Sequence, residues 1–494
     1  MKKIPIHQLF EGYTDVKYPT DEIYKLEIDA IITVNKPEDN SVLFITDKIS
    51  QDHHAFDFSK ECKSPIVAIA SYNKEILSAG CPIIRVGNVR EALSYAASNL
   101  CDINYEKIKF IGITGTNGKT TTATLIYEIL MQCGYKVGFI GTGKIVSNGV
   151  TLSEETYSMT TPDPTLLYPS IEKMSKDGCE YIVMEVSSHS IALDKIAPIT
   201  FEYAIFTNLD NDHLDFHKDK EDYFKTKLRL FSKTRQGLFN MDDNYARRAI
   251  DLVSCKTSTF GIINEADAYA TEIYSDNQSN FSFFYRASNL IFKAKINLIG
   301  AFNVYNSLAA LKCVIDLGIK PCIARRAIES IAGIEGRMQL IRGNINAVID
   351  YAHTPMAFYS CLKTLKRSIN PKQSLIVVFG CGGERDKSKR SAFGMYAEAI
   401  ADRIIITEDN SRSESFNDIA NDIITGIKNK EFDVIQDRES AIRYAFKIAV
   451  PGDLVAVIGK GHERYKIVGQ EYIPFDEREI INDSMNHKVI SLCE

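Results

Sequence analysis

Short runs of apolar residues recur along the chain and alternate with longer stretches of mixed polarity. From residue 109 onward the runs read KFIGIT, KVGFIGT, YIVMEV, YAIFTN, AVIDYA, SLIVVFG, RIIIT and DLVAVIG. Because these runs are apolar on both faces, the pattern predicts buried and mostly parallel strands. The stretches between them, such as residues 120–133, have the pattern of helices, so we expect an α/β fold.

Two breaks in this pattern divide the chain. With 494 residues it is too long for one compact core, and two to four domains are expected. One break falls at DINYEK (102–107) and the other at AGIEGRMQ (332–339), where glycines interrupt a helical pattern. We therefore predict three domains: a small N-terminal α/β domain over 1–103, a central P-loop ATPase-like domain with a mostly parallel sheet over 104–334, and a C-terminal Rossmann-like α/β domain over 335–494.

Composition and charge are those of a globular protein rather than of a nucleic-acid-binding or membrane protein. Hydrophobic residues make up 45% of the chain and charged residues 25%, as in ordinary globular proteins, and the net charge is −6. This balance argues against a nucleic-acid or membrane surface, and no run reaches the roughly 18 apolar residues that span a bilayer. The eleven cysteines contain no C-x-x-C pair, and the N-terminus lacks the apolar core of a signal peptide. We expect a soluble, cytoplasmic monomer with reduced thiols.

The segment TGTNGKTT, between the first of these strands and its helix, has the composition of a phosphate-binding loop. Its small residues let backbone N–H groups approach an anion, and the helix N-terminus that follows favours negative charge. Lys119 can reach the outer phosphates of a nucleotide, and the hydroxyl of Thr120 can ligate Mg²⁺. The spacing G-x-x-G-K-T is shorter than the usual G-x-x-x-x-G-K-[ST], which predicts a tighter loop. The alternative is a glycine-rich turn without a ligand.

Acidic and imidazole side chains cluster after two of the next strands. Glu185 ends the strand of MEVSSHS, and the loop TNLDNDHLDFH brings Asp212, His213, Asp215 and His217 together. His213 and His217 have the H-x-x-x-H spacing of zinc ligands, but neither a glutamate base nor a soft third ligand accompanies them. The oxygen-rich surroundings and the phosphate loop favour Mg²⁺ instead. For His217 we expect a structural hydrogen bond in the loop.

Three loops in the last third of the chain carry candidate substrate contacts. The segments FGCGGERDKSKR, TEDNSRSES and GKGHERY each follow an apolar strand. Arg385 and Arg412 can bind a carboxylate through paired hydrogen bonds, and Glu463 can accept an ammonium group. Open α/β sheets bind ligands at the carboxyl ends of their strands, which favours a joint site over three solvated loops. The glycines of GCGG and GTG are too incomplete for a dinucleotide site.

Eleven motifs in a fixed order carry a resemblance to a known family. They are TGTNGKTT, TTPDP, EVSSH, TNLDNDHLDFH, YFKTKLRLF, LIGAFNVYNSLAAL, GRMQ, VIDYAHTP, VFGCGGERD, DNSR and GKGHERY, between about residues 109 and 476. In these motifs the chain resembles the Mur ligase family, and within it the MurE branch. That branch adds the third residue of the peptidoglycan stem peptide to UDP-N-acetylmuramoyl-L-Ala-D-Glu.

The resemblance implies an ATP-dependent carboxylate–amine ligase. ATP would phosphorylate the carboxylate that ends the nucleotide-linked dipeptide, and the amino group of the incoming amino acid would attack the acyl phosphate. A tetrahedral intermediate would then release inorganic phosphate and leave an amide. Lys119 and Mg²⁺ would offset the repulsion between the two anions that must meet.

The resemblance also assigns roles to single residues. It makes Lys119, Glu185, His213 and Lys227 catalytic. It places one magnesium ion at Thr120 and a second one at Glu185, His213 and Lys227, the last as a carbamate. The implied ATP contacts are Gly115, Thr116, Asn117, Gly118, Lys119, Thr120, Thr121, Asn303, Arg337 and, at the ribose, Asp350. The implied substrate contacts are Thr160, Thr161, Ser187 and Lys195 for the UDP-muramoyl dipeptide, and Arg385, Asp409, Asn410, Arg412, Gly459 and Glu463 for the amino acid. Without the resemblance, Lys227 would be interpreted as a solvated helix lysine.

The motif DNSR bears on which amino acid is used. Family members that use meso-diaminopimelate carry D-N-P-R, whose arginine holds the distal carboxylate, and lysine users usually lack that arginine. Here Asp409, Asn410, Ser411 and Arg412 keep the arginine and lose the proline. The resemblance therefore implies diaminopimelate rather than lysine.

Three departures from the family pattern fall on the side that would bind the UDP-sugar. Val34, Asn35 and Lys36 stand near the place of the family's D-S-R, SQDHHAFDF replaces its D-G-H, and Lys195 replaces an arginine. Lysine keeps the charge but loses bidentate geometry. Two alternatives stay open: a MurE-like paralogue that ligates an amino acid to a different carboxylate, and a non-catalytic nucleotide-binding partner subunit. The retained catalytic set argues against the second.

Overall fold

The structure, a computed structural model, describes residues 3–28, 30–32, 41–45, 56–57, 67–77, 81–153, 160–213, 216–276, 280–469 and 471–493. Within these residues, sheets of five, eleven and six strands follow one another along the chain, and helices pack against each. This architecture confirms the predicted α/β class with three domains. The sequence departures at residues 34–36 and, apart from 56–57, at residues 50–58 lie outside the described part of the chain.

The N-terminal part is built on the five-stranded sheet, in the order β2-β9-β7-β5-β4. Its elements are β1 (Ile4–Pro5), α1 (Ile6–Leu9), β2 (Val16–Lys17), β3 (Glu27–Ile28), β4 (Ala30–Ile32), β5 (Ser41–Phe44), β6 (Phe56–Asp57), β7 (Val67–Ser71), β8 (Ile76–Leu77), β9 (Ile83–Val86) and α2 (Val89–Asn99). Strands β4, β5, β7 and β9 are parallel, and β2 is antiparallel to β9. The side chain of Asn88 caps α2 by accepting hydrogen bonds from two backbone N–H groups of the first turn.

The central part contains the eleven-stranded sheet and the phosphate-loop candidate. Its elements are β10 (Lys109–Thr114), α3 (Lys119–Gln132), β11 (Val137–Gly141), β12 (Lys144–Ser147), β13 (Val150–Ser153), α4 (Pro164–Lys176), β14 (Tyr181–Glu185), α5 (Ser188–Ala192), β15 (Phe201–Phe206), α6 (Lys220–Leu228), β16 (Thr234–Asn240), α7 (Asn244–Ile250), β17 (Lys256–Gly261), β18 (Ala268–Ser275), β19 (Phe281–Ala287), β20 (Leu290–Ile296), α8 (Phe302–Asp316) and α9 (Pro321–Ser330).

The strand order of this sheet is β13-β12-β11-β14-β10-β15-β16-β17-β18-β19-β20. The strands from β11 to β18 in that order are parallel, whereas both edges turn antiparallel. Strand β10 lies between β14 and β15, so the segments that follow these three strands meet at one edge of the sheet. Alternate residues of β10 enter opposite cores: Ile111 and Ile113 pack with α3 and α8, and Phe110 packs with α4.

The C-terminal part is built on the six-stranded sheet, in the order β21-β22-β26-β23-β24-β25. Its elements are β21 (Gln339–Ile341), β22 (Asn346–Asp350), α10 (Pro355–Ser368), β23 (Leu375–Phe379), α11 (Arg390–Ile400), β24 (Arg403–Ile406), α12 (Phe416–Ile424), β25 (Phe432–Val434), α13 (Arg438–Ile448), β26 (Leu454–Ile458), β27 (Tyr465–Val468), β28 (Glu471–Pro474) and α14 (Glu477–Cys493). Within the six-stranded sheet, all pairs except β21 with β22 are parallel, and cores lie on both of its faces. Strands β27 and β28 form a separate antiparallel pair.

The eight apolar runs all form strands, and their ends differ from the prediction by at most about two residues, within the usual uncertainty of element boundaries. The predicted helix at 120–133 is α3, which starts one residue earlier. Among the described residues, no helix combines the length and the apolar composition that crossing a lipid bilayer requires.

Candidate active site

A cavity of about 830 Å³ lies between the eleven-stranded and the six-stranded sheets. It collects side chains that follow the carboxyl ends of parallel strands in both sheets. The sequence-predicted residues that line it are Thr116, Asn117, Gly118, Lys119, Thr120, Thr121, Thr160, Glu185, His213, Asn303, Arg337, Asp350, Arg385, Asp409, Asn410, Arg412, Gly459 and Glu463. The phosphate-loop residues and the candidate amino-acid contacts therefore share one cavity.

The loop between β10 and α3 has the backbone of an anion cradle. Gly115 and Gly118 have φ angles of 141° and 85°, which residues with side chains rarely adopt, and Gly118 is the N-cap of α3. A Cβ atom on Gly115 would overlap the hydroxyl of Thr207. Thr207 and Asn208 brace the loop from the end of β15, because both donate to the carbonyl oxygen of Asn117, at 2.7 and 2.9 Å. The short spacing thus gives a tight loop that the neighbouring strand supports.

Two lysines meet beneath this loop. The Nζ atoms of Lys119 and Lys227 both donate to the carbonyl oxygen of Gly115, at 3.0 and 3.1 Å. Burial lowers the pKa of Lys119. Burial, together with the charge of Lys119, lowers the pKa of Lys227 well below its ordinary value. A lowered pKa favours the free amine of a lysine, and the free amine is the form that reacts with CO₂ to give a carbamate.

Glu185 is fully buried at the end of β14 and is held at three points. Its Oε1 accepts from the backbone N–H of Thr142 at 3.0 Å, and its Oε2 accepts from the hydroxyl of Thr120 at 2.9 Å. The Thr142 hydroxyl also donates to Oε2, at 3.3 Å. A hydroxyl and a carboxylate oxygen side by side are the hard ligands that Mg²⁺ prefers, so the donor set here fits magnesium.

The segment after β15 carries Asp212 and His213. The carboxylate of Asp212 lies 2.8 Å from Lys389 Nζ, 3.3 Å from His213 Nε2 and 3.7 Å from His353 Nε2. Burial opposes the ionisation of Asp212, but a hydrogen bond from His353 and the positive charge of Lys389 outweigh it and hold the pKa of Asp212 well below its usual range. Burial lowers the pKa of His213 to about 2, so its imidazole is neutral and able to bind a metal.

His217 does not contribute to a metal site. Its Nε2 lies 2.9 Å from Ser188 Oγ and its Nδ1 lies 3.2 Å from Asp222 Oδ2, so both ring nitrogens have structural partners. In the described ranges no group of three or more His, Cys, Asp or Glu side chains is arranged to hold a metal ion. The two hydrogen-bond partners of His217 match the structural role expected for it. Asp215 lies outside the described residues.

Arg337 connects the phosphate loop to the six-stranded sheet. Its Nη2 donates to Thr120 Oγ1 at 2.8 Å, and its guanidinium carbon lies 4.5 Å from the ring centroid of Tyr351. Its Nε atom is buried and has no hydrogen-bond partner within the described part of the chain. A cationic group with a spare donor beside Thr120 is suited to a phosphate oxygen.

Asp350 and Asn303 shape the wall of the cavity. The two carboxylate oxygens of Asp350 accept from the backbone N–H groups of Met338 and Ala352, at 2.7 and 2.8 Å, and burial raises its pKa. Asn303 accepts a hydrogen bond from the amide of Asn306 at 2.9 Å. Each carboxylate oxygen of Asp350 keeps a second lone pair, which is sufficient for one further contact to a hydroxyl.

Arg412 and Arg385 lie at the amino-acid end of the cavity. Arg412 has a φ of 54°, and its Nη1 donates to the carbonyl oxygens of Gly383 and Asn410, at 2.8 and 3.2 Å. Burial, and then the neighbouring charge of Arg385, lower the pKa of Arg412. Two neighbouring guanidinium groups that repel each other favour a bound carboxylate.

Acidic groups face this arginine pair. Asn410 donates from Nδ2 to Glu463 Oε2 at 2.8 Å, and its own backbone N–H binds Asp409 Oδ1 at 2.6 Å. Gly459 has a φ of 126°, and a Cβ there would lie 2.6 Å from Asp409 Oδ2. The positive and negative ends together match a zwitterionic ligand.

Four residues are predicted to contact the UDP-muramoyl dipeptide: Thr160, Thr161, Ser187 and Lys195. Of these four, only Thr160 lines the cavity. The Thr161 hydroxyl donates to the carbonyl oxygen of Glu185 at 2.9 Å, and Ser187 caps α5. Lys195 is buried, and its Nζ lies 2.7 Å from Asp163 Oδ1. Thr161, Ser187 and Lys195 thus make contacts within the segments before and after β14.

Sequence reasoning missed three residues that the structure brings to the site. Thr142 binds Glu185, Lys389 binds Asp212, and the fully buried Lys460 binds Asn410. Two of them lie in segments already noted, since Lys389 belongs to ERDKSKR and Lys460 to GKGHERY. Their partners come from distant parts of the chain, so no local pattern reveals them.

Known protein families match most of the cavity-forming chain. Residues 113–314 match the Mur ligase middle domain, and residues 336–461 match the Mur ligase, glutamate ligase domain. The two matches cover the regions that supply the phosphate loop and the candidate amino-acid contacts.

Individual relatives carry names from the same family. The chain is 35% identical over 481 residues to UDP-N-acetylmuramoyl-L-alanyl-D-glutamate--2,6-diaminopimelate ligase 1 of Clostridium acetobutylicum, covering 95% of this chain and 97% of that protein. It is 41% identical over 415 residues to the corresponding ligase of Clostridium perfringens, covering 82% and 84%. A solved structure of a UDP-N-acetylmuramoyl-L-alanyl-D-glutamate--2,6-diaminopimelate ligase superposes with a TM-score of 0.63 at 25% identity, covering 99% of this chain and all of that one.

Proposed function

This chain belongs to the Mur ligase family, and from that premise we propose that it ligates meso-diaminopimelate to UDP-N-acetylmuramoyl-L-Ala-D-Glu in peptidoglycan synthesis, converting ATP to ADP and phosphate. One observation carries the proposal: the phosphate loop and the arginine pair line the same cavity. A ligase of this kind must hold a phosphoryl donor, a carboxylate and an amine together, and a shared cavity meets that requirement.

The first step transfers the outer phosphoryl group of ATP to the acceptor carboxylate and forms an acyl phosphate. Both partners are anions, so positive charge must lie between them. Lys119 would exchange its bonds to the loop carbonyls for phosphate oxygens, and the spare donor of Arg337 would bind another. A magnesium ion bound by Thr120, and a second one bound by Glu185 and His213, would supply further charge neutralisation.

The second step forms the amide. Arg385 and Arg412 would hold the distal carboxylate of diaminopimelate, while Glu463 and Asp409 would accept its distal ammonium group. The other amino group would then attack the acyl carbon, and inorganic phosphate would leave the tetrahedral intermediate. Holding both ends of the amino acid fixes the attacking nitrogen, which lowers the entropic cost of the step.

We also propose that Lys227 carries a carbamate in the active enzyme. The lowered pKa of Lys227 favours the reaction of its amine with CO₂. A carbamate at this position would provide an oxygen ligand for magnesium beside the phosphate loop.

The domain roles follow from the same proposal. Residues 1–103 would bind the UDP-sugar, 104–334 ATP, and 335–494 the amino acid. The nine described cysteines are free thiols, which supports a cytoplasmic location, and we propose a monomer that needs neither nucleic acid nor membrane.

Phosphate release from ATP with a panel of acceptors tests the function. We expect release only when UDP-N-acetylmuramoyl-L-Ala-D-Glu and meso-diaminopimelate are both present, and little with L-lysine. A control variant, Lys256→Ala on the exposed face of β17, should behave like the wild type. Release with another carboxylate but not with the muramoyl dipeptide would reject the proposal.

One observation favours a second candidate, a ligase for a different carboxylate. Lys195, which replaces the family arginine, is paired with Asp163 and does not line the cavity. A lysine engaged in this way cannot bind a carboxylate as the arginine would. The same acceptor panel separates the two candidates.

A further inference from the structure

Lys460 lies two residues after the end of β26 and is fully buried next to two acidic side chains of the cavity. Its Nζ donates to Asn410 Oδ1 at 2.8 Å and to Glu463 Oε2 at 3.3 Å, and it lies 3.6 Å from Asp409 Oδ1. A buried ammonium group is unfavourable unless acceptors and opposite charges compensate it. The buried ammonium group of Lys460 is therefore stabilised by Asn410, Glu463 and Asp409.

The first consequence is the orientation of the Asn410 amide. Lys460 Nζ and the backbone N–H of Ile467 both donate to Asn410 Oδ1, at 2.8 and 3.0 Å. Only the amide oxygen can face two donors, so the NH₂ group must point the other way. It donates to Glu463 Oε2 at 2.8 Å. Both bonds to Glu463 end on Oε2, which leaves Oε1 for a substrate ammonium group.

The second consequence concerns charge. Burial raises the pKa of Glu463, and the charge of Asp409 adds to this effect, while Lys460 opposes both. Burial also works against ionisation of Asp409, but Lys460 and then Arg438 hold its pKa below the usual value. Arg438 already donates to the buried carboxylate of Glu477 at 2.6 Å. The titratable groups that face the acidic pair are Lys460, Arg438, Arg412, Tyr351 and Tyr465.

We propose that Lys460 is a positioning residue for the amino-acid substrate. It keeps Glu463 and Asp409 as carboxylates and fixes the Asn410 amide, so that Glu463 Oε1 receives the distal ammonium group of the substrate. The inference rests on the proposed function, since it takes a diamino acid as the ligand. It assigns to Lys460 an effect on amino-acid binding and none on ATP binding.

Two variants separate the two consequences. Lys460→Met removes both charge and donor, and we expect the KM for diaminopimelate to rise roughly 10- to 100-fold, the range of a lost charge-assisted hydrogen bond, with the KM for ATP unchanged. The acid limb of kcat/KM for diaminopimelate should move to higher pH, because Glu463 then protonates more readily. Lys460→Gln keeps a donor for Asn410 but no charge, so it should raise KM less and still move the acid limb.

The controls distinguish positioning from a merely structural role. Lys372→Met removes an exposed lysine just before β23, in the same C-terminal part of the chain. It should change neither the KM for diaminopimelate nor the KM for ATP. In a Glu463→Gln background, Lys460→Gln should shift the pH profile less than it does in the wild type, because only the carboxylate of Asp409 then remains beside Lys460. Equal rises in both KM values, or an unmoved acid limb in both variants, would overturn the inference while the wild-type activity stands. Absence of wild-type turnover with diaminopimelate would reject the proposed function and this inference with it.

Discussion

Lys389 Nζ lies 2.8 Å from Asp212 Oδ1, and this ion pair joins the segment after β15 to the segment before α11. The side chains are 19% and 5% exposed, so water screens the pair only weakly. His353 approaches the same carboxylate from the six-stranded sheet. An ion pair therefore connects the segments next to the two large sheets at the cavity, where closure over the substrates is expected.

Replacing Lys389 should weaken this connection. We expect Lys389→Met to lower the free energy of unfolding by roughly 1–3 kcal/mol, because the carboxylate of Asp212 loses its closest cation but keeps two imidazoles. Because the pKa of Asp212 is held below its unfolded value of about 3.9, this contribution is present above that pH and is lost as the pH falls further. Urea unfolding at several pH values measures both effects.

The matched control for Lys389 is its neighbour Lys387. Its Nζ lies 2.8 Å from Glu414 Oε1, but its side chain is 67% exposed. Lys387→Met should therefore cause no measurable loss. Equal destabilisation by the two substitutions would show that burial of the Asp212 pair carries no special weight.

Lys119→Ala should abolish phosphate release and leave the fold intact. The substitution removes the cation that would contact the transferred phosphoryl group, and it also relieves the repulsion on Lys227 beneath the loop. The melting temperature should therefore stay the same or rise. Measurable phosphate release by the variant, in a preparation with the wild-type melting temperature, would contradict the role given to Lys119.

The proposed carbamate at Lys227 makes activity depend on dissolved CO₂. Activity should fall in CO₂-free buffer and return with added bicarbonate, and ¹³C-bicarbonate should give a carbamate signal that is absent from Lys227→Met. An unchanged rate after exhaustive removal of CO₂ would count against the modification.

The same lysine predicts how stability depends on pH. Because the folded protein holds the pKa of Lys227 below about 10.5, the unfolded chain binds more protons between the two values. The free energy of unfolding of the uncarbamylated protein should thus rise with pH in that window. Lys227→Met should reduce the slope of urea-derived stability against pH.

Arg412→Lys should raise the KM for diaminopimelate much more than the KM for ATP. Lysine keeps the charge, but it cannot donate to two carbonyl oxygens and still present a planar pair of donors to a carboxylate. We expect an increase of roughly 10- to 100-fold for the amino acid. Arg403→Lys, on an exposed position of β24, is the matched control and should change neither constant.

Much of the fold follows from local sequence pattern. Strand β10 is buried on both faces, and so its apolar run is easy to identify. The antiparallel strands from β18 to β20 alternate buried and exposed residues at the sheet edge, and their pattern is weaker. The parallel pairing of β10 with β14 also explains why Glu185 and the phosphate loop meet. Glu185 ends β14 and the loop follows β10, so both lie at the same edge of the sheet.

The remaining part of the site depends on tertiary contacts. Lys227 lies on α6 with no local mark of burial, so only the family resemblance indicates it in the sequence. Its contact with Gly115, which is 112 positions away in the chain, places it at the loop. Lys389 and Asp212 are 177 positions apart. Such pairings are set by how the sheets pack, and no periodic pattern encodes them.

The carbonyl oxygen shared by Lys119 and Lys227 also makes nucleotide binding a proton-linked event. A polyphosphate that arrives at the loop raises the pKa of any uncarbamylated amine there, so we expect proton uptake on binding at pH values between the pKa of the free loop and that of the occupied loop. The heat of ATP binding measured by titration calorimetry should then vary with the ionisation enthalpy of the buffer, and the variation should shrink in Lys119→Ala. Nucleotide binding at the loop would thus be detectable as proton uptake, before any phosphoryl transfer takes place.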